Sequence, residues 1–171
     1  MLKSQKFERD VPITVGYGRQ IEACLNSRPL TPISNDPNDL IALSPSHFLI
    51  GDLLTAPMEH DVTPLPINRL SRWQYVEQLR QHFWKRWSVD YLTQLQPRRK
   101  WNQRLPNIEV GELAVIKEDN SPPLQWRLAR VFRLHPGKDG CVRVVTLKTS
   151  KGEVTRSINK VCVLPIASMY S

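Results

Sequence analysis

Between Gly111 and Pro165, five short alternating runs are separated by turn residues, and this spacing limits the fold more than any other feature of the chain. Glu112 to Lys117 reads as a first strand, with Leu113, Val115 and Lys117 opposite Ala114 and Ile116. Trp126 to His135 follows the loop EDNSPPLQ, and HPGKDG at 135–140 gathers residues that accept tight-turn dihedrals. Cys141 to Lys148 returns, SKG at 150–152 turns again, and Glu153 to Arg156 begins a further run. A helical turn over Ser157 to Lys160 leads into Val161 to Leu164, stopped by Pro165.

Five strands in about sixty residues leave an open sheet little to bury, because each of its faces needs a cover. Curling the sheet on itself hides one face and removes most edges. The prediction is a small five-stranded SH3-like β-barrel over 106–165, with a tail at 166–171. In its second strand Trp126, Leu128, Arg130, Phe132 and Leu134 alternate with Arg127, Ala129, Val131 and Arg133, so neither face is wholly apolar and the strand must bend or twist. Which of Arg127, Arg130 and Arg133 share a surface stays open at this point. Together with Arg143 and Lys148 on the third strand they predict a positive sheet surface, since Arg meets phosphate bidentately.

Upstream, Leu70, Trp73, Val76, Leu79, Phe83, Trp87, Tyr91 and Leu95 recur every three or four residues until Pro97. That period predicts a long amphipathic helix over Arg69 to Leu95, so the fold class is α+β: a long helix followed by the small barrel. Its aromatic stripe packs a core or a neighbouring subunit. Trp73, Phe83 and Trp87 are the candidate protein-interaction residues, while Trp84 falls partly off the stripe. QPRRKWNQRLP at 96–106 puts Arg98, Arg99 and Lys100 between helix and strands, either as a solvated linker or as further phosphate contacts. Residues 62–105 therefore form the helix and its basic linker.

Residues 1–61 read differently. A short helix over Arg19 to Ser27 ends at Pro29, and prolines at 29, 32, 37 and 45 then bias the chain toward an extended, surface-hugging arm. Its HFLI patch, His47 to Ile50, calls for a surface to cover it.

Charge points to a partner. Lys and Arg number 24 against 16 Asp and Glu, a formal net charge of +8. The excess starts in the middle of the chain: 1–60 carry 5 basic and 7 acidic residues, 61–105 carry 9 and 3, and 106–171 carry 10 and 6. A polyanion such as DNA suits that balance. Three widely spaced cysteines without a CxxC pair fit a reducing compartment, with Cys141 and Cys162 as small core residues. His47, His60, His82 and His135 lack metal-ligand spacing, and neither GxSxG nor GxxxxGK[ST] occurs. Asp36, Asp39 and Asp52 lie in the Pro-broken arm, and Glu118 and Asp119 on a predicted loop, so no carboxylates converge as two-metal chemistry requires. No catalytic residue, metal or cofactor is expected. MLKSQKFERDVPITV has no apolar leader and no run is long enough for a membrane span, so an intracellular chain without a membrane partner is expected.

ACLNSRPL, SPSHFLIGD and the tail GELAVIKEDNSPPLQWRLARVFRLHPGKDGCVRVVTLKTSKGEVTRSINKVCVLP carry a resemblance. The chain, over about Gln20 to Pro165, resembles the C-terminal part of the integrase region of Pao/Bel-type retrotransposon polyproteins, including the domain that follows the integrase core. The resemblance implies that Arg19 to Ser27 is the last helix of a ribonuclease-H-type core. It also implies that the two aspartates and one glutamate of catalysis lie upstream of QIEACLNSRPL, so Glu22 is not that glutamate. KSQKFERDVPITVGYGR departs from the usual approach to that helix. The implied role is a non-catalytic DNA-binding or assembly portion of an integrase-like protein, nuclear if it acts in integration, meeting DNA and either full-length integrase or another copy of itself. The alternatives are a protein-interaction or oligomerisation module, or a domesticated remnant without catalytic activity.

Overall fold

A computed structural model of the chain describes residues 16–56, 60–96, 108–118, 121–138 and 140–165. Helix α1 (16–26) stops before Ser27, whose hydroxyl donates to the Cys24 carbonyl, and Pro29 bars its continuation. The arm then folds back on itself, pairing β1 (Thr31–Pro32) with β2 (Ala42–Leu43). Helix α2 (Pro45–Ile50) begins on a proline, where the missing N–H costs nothing, and ends at Gly51 with φ 77°. A 3-10 turn (Ile67–Arg69) precedes α3 (Arg72–Leu95). Ser71 Oγ accepts from the Gln74 N–H at 3.3 Å while the Gln74 side chain accepts from the Ser71 N–H at 2.9 Å, so two donors of the first turn are satisfied reciprocally.

Five antiparallel strands follow: β3 (Leu113–Ile116), β4 (Leu128–Pro136), β5 (Val142–Thr149), β6 (Gly152–Ser157) and β7 (Val161–Val163), in the spatial order β6-β5-β4-β3-β7. A 3-10 turn, Ile158–Lys160, carries the chain from one edge strand to the other. The α+β class, the five strands and the helical turn before the last of them are as expected. Closure into a barrel is not: among the described residues β6 and β7 form the two edges and do not pair.

The reason lies in how the sheet is covered. On one side, residues of all five strands meet in a single apolar cluster that includes Ala114, Val131, Leu147, Val154 and Val161. On the other, Leu113, Val115, Cys162 and Leu164 pack with Leu92 of α3 and Ala42 of the arm. Since helix and arm hide the apolar part of the second face, pairing of the two edges is not needed to take it out of water. Helix and sheet thus share a core across segment 97–107, which lies outside the described residues.

β4 bends, as its mixed alternation requires. Phe132 is an extra residue between the pairs Val131↔Leu147 and Arg133↔Thr146, and Arg143 is an extra residue on β5 between Val144↔His135 and Val142↔Pro136.

The buried face of α3 is rotated from the expected stripe. Trp84 is 2% exposed, whereas Trp73, on the first turn, is 62% exposed. Glu77, Gln78, Arg80 and Gln81 are buried beside Val76 and Leu92, and the 60–65 segment crosses Gln78 and Gln81. There the Val62 N–H donates to Gln81 Oε1 at 3.0 Å, and Gln78 Nε2 donates to the carbonyls of Val62 at 2.9 Å and Leu65 at 2.8 Å. Arg80 reaches Glu77 Oε1 at 2.6 Å and Gln81 Nε2 donates to the same oxygen at 2.9 Å, so the buried arginine and carboxylate are paired, while Glu77 Oε2 is buried without a hydrogen-bond partner among the described residues.

Cys141 is exposed, contrary to expectation, because it follows the β4–β5 turn instead of entering a strand face. Cys24 and Cys162 are buried, and burial pushes each thiol up from the ordinary 9.0 to about 11. Stability tied to these protonated thiols is present below pH 9.0 and lost as the pH rises toward about 11. Mass spectrometry after iodoacetamide at pH 8 should therefore show Cys141 alkylated in the native chain, and Cys24 and Cys162 only after urea; equal labelling of all three would contradict these burials. Leu113→Ala, which empties a position 1% exposed between sheet and helix, is expected to lower unfolding free energy by about 2–5 kcal/mol in urea titrations.

Candidate nucleic-acid interface

The cations expected on the barrel are divided by the structure. Arg130 belongs to the fold: it is 4% exposed, and its guanidinium donates to the carbonyls of Asp39 at 2.8 Å, Gly111 at 2.7 Å and Ser34 at 2.6 Å. A rigid fork of donors fits three carbonyls, two from the arm and one from Gly111 just before β3, and an Arg so placed fastens the arm to the sheet. It is not open to phosphate, which corrects its assignment as a DNA contact. The register that puts Arg130 opposite Lys148 makes the reason plain: the arm lies on this end of the sheet, where Lys148 Nζ also donates to Asn38 Oδ1 at 2.8 Å.

Past the Phe132 bulge the same face is open. Arg133 is exposed, its guanidinium 5.9 Å from the Phe132 ring centroid. His135 Nε2 lies 2.8 Å from Thr146 Oγ1, which lies 3.2 Å from Thr155 Oγ1, so a polar row crosses β4, β5 and β6. Lys148 is exposed at one end of this face, opposite Glu153 on β6, and Arg143 is exposed near the other, beside the β4–β5 turn. The geometry therefore brings Arg133, His135 and Lys148 onto one face with Arg143 at its margin. Arg127 stands apart, paired with Glu118 before β4 begins. Arg98, Arg99 and Lys100 lie outside the described residues.

Of the aromatic candidates, only Trp73 is exposed. Phe83 and Trp87 are half-buried in a ladder along α3, with ring centroids 6.1 Å apart and Tyr91 a further 5.7 Å on. The ladder grips Trp126, which lies 4.8 Å from Trp84, 5.9 Å from Trp87 and 5.7 Å from Tyr91. Each polar tip is tied to a different segment: Trp84 Nε1 donates to the Ser121 carbonyl at 2.9 Å, Trp126 Nε1 to Ser27 Oγ at 3.2 Å, and Tyr91 Oη to the Pro29 carbonyl at 2.6 Å. Burial raises the Tyr91 phenol above its usual range.

Sequence reasoning missed the conformation of the SPPLQ loop. Leu124 has φ 65°, a left-handed conformation that a branched side chain adopts at a cost of about 1–3 kcal/mol. The bonds of Ser121 to Trp84 and of the Gln125 N–H to the Pro122 carbonyl, at 3.1 Å, hold it there. Adjacent to this loop a cleft of about 540 Å³ is lined by Leu40, Trp126, Leu128, Arg127, Glu118 and Lys151, together with neighbouring polar residues. Lys151 lies in the β5–β6 turn, and nothing in SKG distinguishes it from any other turn lysine.

Among the described residues no group of three or more His, Cys, Asp or Glu is placed to hold a metal ion. No described helix is long and apolar enough to cross a membrane.

Residues 71–164, from the N-cap of α3 to the residue after β7, match a family described as a family of unknown function, DUF5641. The match spans more than half of the chain, and the chain belongs to that family. Neither the comparison with curated proteins nor that with solved structures finds a match. The matched span contains the whole five-stranded sheet and α3, while Ser34, Asp39, Pro29 and Ser27, held by Arg130, Tyr91 and Trp126, lie before it.

Arg130→Ala is expected to lower unfolding free energy by about 3 kcal/mol, because it orphans three carbonyls at once, and Arg130→Lys to recover less than half of that. Amide exchange over 33–41 should quicken in the alanine variant; unchanged exchange there would mean that other contacts hold the arm.

Proposed function

We propose that the chain is a non-catalytic DNA-binding or assembly portion of a retrotransposon integrase-like protein, with an SH3-like sheet as its DNA-contacting module. The observation that carries this reading is the open face of β4 and β5, where Arg133 and Lys148 stand with His135, and Arg143 is exposed beside them. The +8 net charge supports it at long range. So does the strand arrangement, in which the last strand returns through a 3-10 turn to lie beside the first. Cations presented by a sheet face contact phosphates and confer affinity with little sequence preference. On this reading the chain acts in DNA integration inside the nucleus, and Trp73, exposed on α3, offers a contact for integrase or a second copy.

The test is duplex binding at increasing salt. Wild type is expected to lose affinity with a slope of about −0.9 in log K against log salt for each phosphate contacted. Changing Arg133, Arg143 and Lys148 together to Ala should reduce that slope by about 3 without moving the melting temperature by more than a few degrees. Salt-independent binding, or none at low salt, counts against the proposal.

A further inference from the structure

We infer that the cleft between the SPPLQ loop and the β5–β6 turn receives an unpaired nucleotide, with its phosphate on Arg127 and Lys151 and its base against Trp126. The inference rests on the nucleic-acid reading above and adds to it the strand state of the ligand and a second site, separate from the open face of β4 and β5.

Size comes first. At about 540 Å³ the cleft falls in the range that encloses a small organic ligand, and a nucleotide fits within it. A duplex keeps its bases stacked inside and presents only its backbone and groove edges, so its rings cannot reach Trp126 unless a base leaves the stack. Chemistry comes second. The lining combines an apolar part, Leu40, Trp126 and Leu128, with two cations, Arg127 just before β4 and Lys151 in the β5–β6 turn. Each unit of a single strand offers one flat ring and one anion, which is the pairing this lining complements.

Preorganisation is the third argument. The Trp126 ring is fixed by Ser27 and by Trp84, Trp87 and Tyr91, so binding would not have to order it. The neighbouring loop carries the left-handed Leu124, a strained position of the kind retained where a site needs one shape. Glu118 holds the Arg127 side chain at the cleft in the absence of ligand, and as an anion it competes with phosphate for that guanidinium. Removing its charge should therefore favour the ligand.

Anisotropy of a labelled oligothymidylate and of a blunt duplex of equal length, each titrated with the full chain, tests this through the ratio of the two affinities. Lys151→Glu is expected to lower the single-strand to duplex ratio about tenfold, and Glu118→Gln to raise it several-fold. The second change removes a surface carboxylate and reads a gain, so loss of folding cannot imitate it. Ratios equal to wild type in both variants, with the duplex still bound, overturn this inference and leave the DNA-binding reading standing. Failure of wild type to bind either oligonucleotide overturns both. An oligoglutamate peptide that binds with the same dependence on Lys151 and Glu118, where oligothymidylate does not, also overturns it and assigns the cleft to an acidic protein segment.

Discussion

β3 lies between two apolar clusters, and the rest of the structure is arranged around that burial. Ala114 and Ile116 enter the cluster shared by all five strands, while Leu113 and Val115 enter the one made with Leu92, Cys162 and Leu164. A four-residue strand buried on both faces needs partners along its edges as well as above and below. β4 and β7 supply the edges and α3 with the arm supplies the second cover. Because that cover comes from elsewhere in the chain, β6 and β7 are left as free edges. β7 is partly shielded at its approach, where Gln96 Nε2 donates to the Asn159 carbonyl at 3.0 Å.

The same arrangement sorts the charges. An arginine near the covered half of the sheet finds backbone carbonyls within reach and becomes a fastener, as Arg130 does with Ser34, Asp39 and Gly111. One past the bulge meets water and stays on the surface, as Arg133 does. Two residues lie between them in sequence, and a single extra residue, Phe132, keeps them on one face while the arm covers only the first. The aromatic side chains are sorted likewise. Trp84, Trp87 and Tyr91 close on Trp126, and the polar tips of Trp84, Tyr91 and Trp126 bind the SPPLQ loop, Pro29 and Ser27, so the segment before the family match is integrated through hydrogen bonds as well as apolar contact.

Much of this was legible beforehand, for a physical reason. Strands β3 to β7 fall within about two residues of their expected limits because period-two alternation and Gly, Pro and Asp turns are local properties. The length of α3 was legible too, from its 3.6 period and from Pro97. Its buried side was not. Gln78, Arg80 and Gln81 fall between the positions of the expected stripe, and tertiary contacts make them interior: the 60–65 segment bonds to Gln78 and Gln81, and Arg80 pairs with Glu77. Likewise the Arg at 130 carries no mark in the sequence that distinguishes it from those at 127 and 133.

The amino-acid order by itself determined the α+β class, the number and limits of the main elements, and an excess of positive charge in the last two-thirds of the chain. Tertiary structure alone decided that the sheet stays open, that Arg130 is internal and Arg133 external, and that Lys151 and Arg127 line a common cleft with Trp126. Periodicity and turn chemistry act over a few neighbouring residues, whereas the cover of a sheet face comes from α3 and the arm, and two of the carbonyls for Arg130 from about ninety to a hundred positions away, and nothing local encodes where that chain will lie.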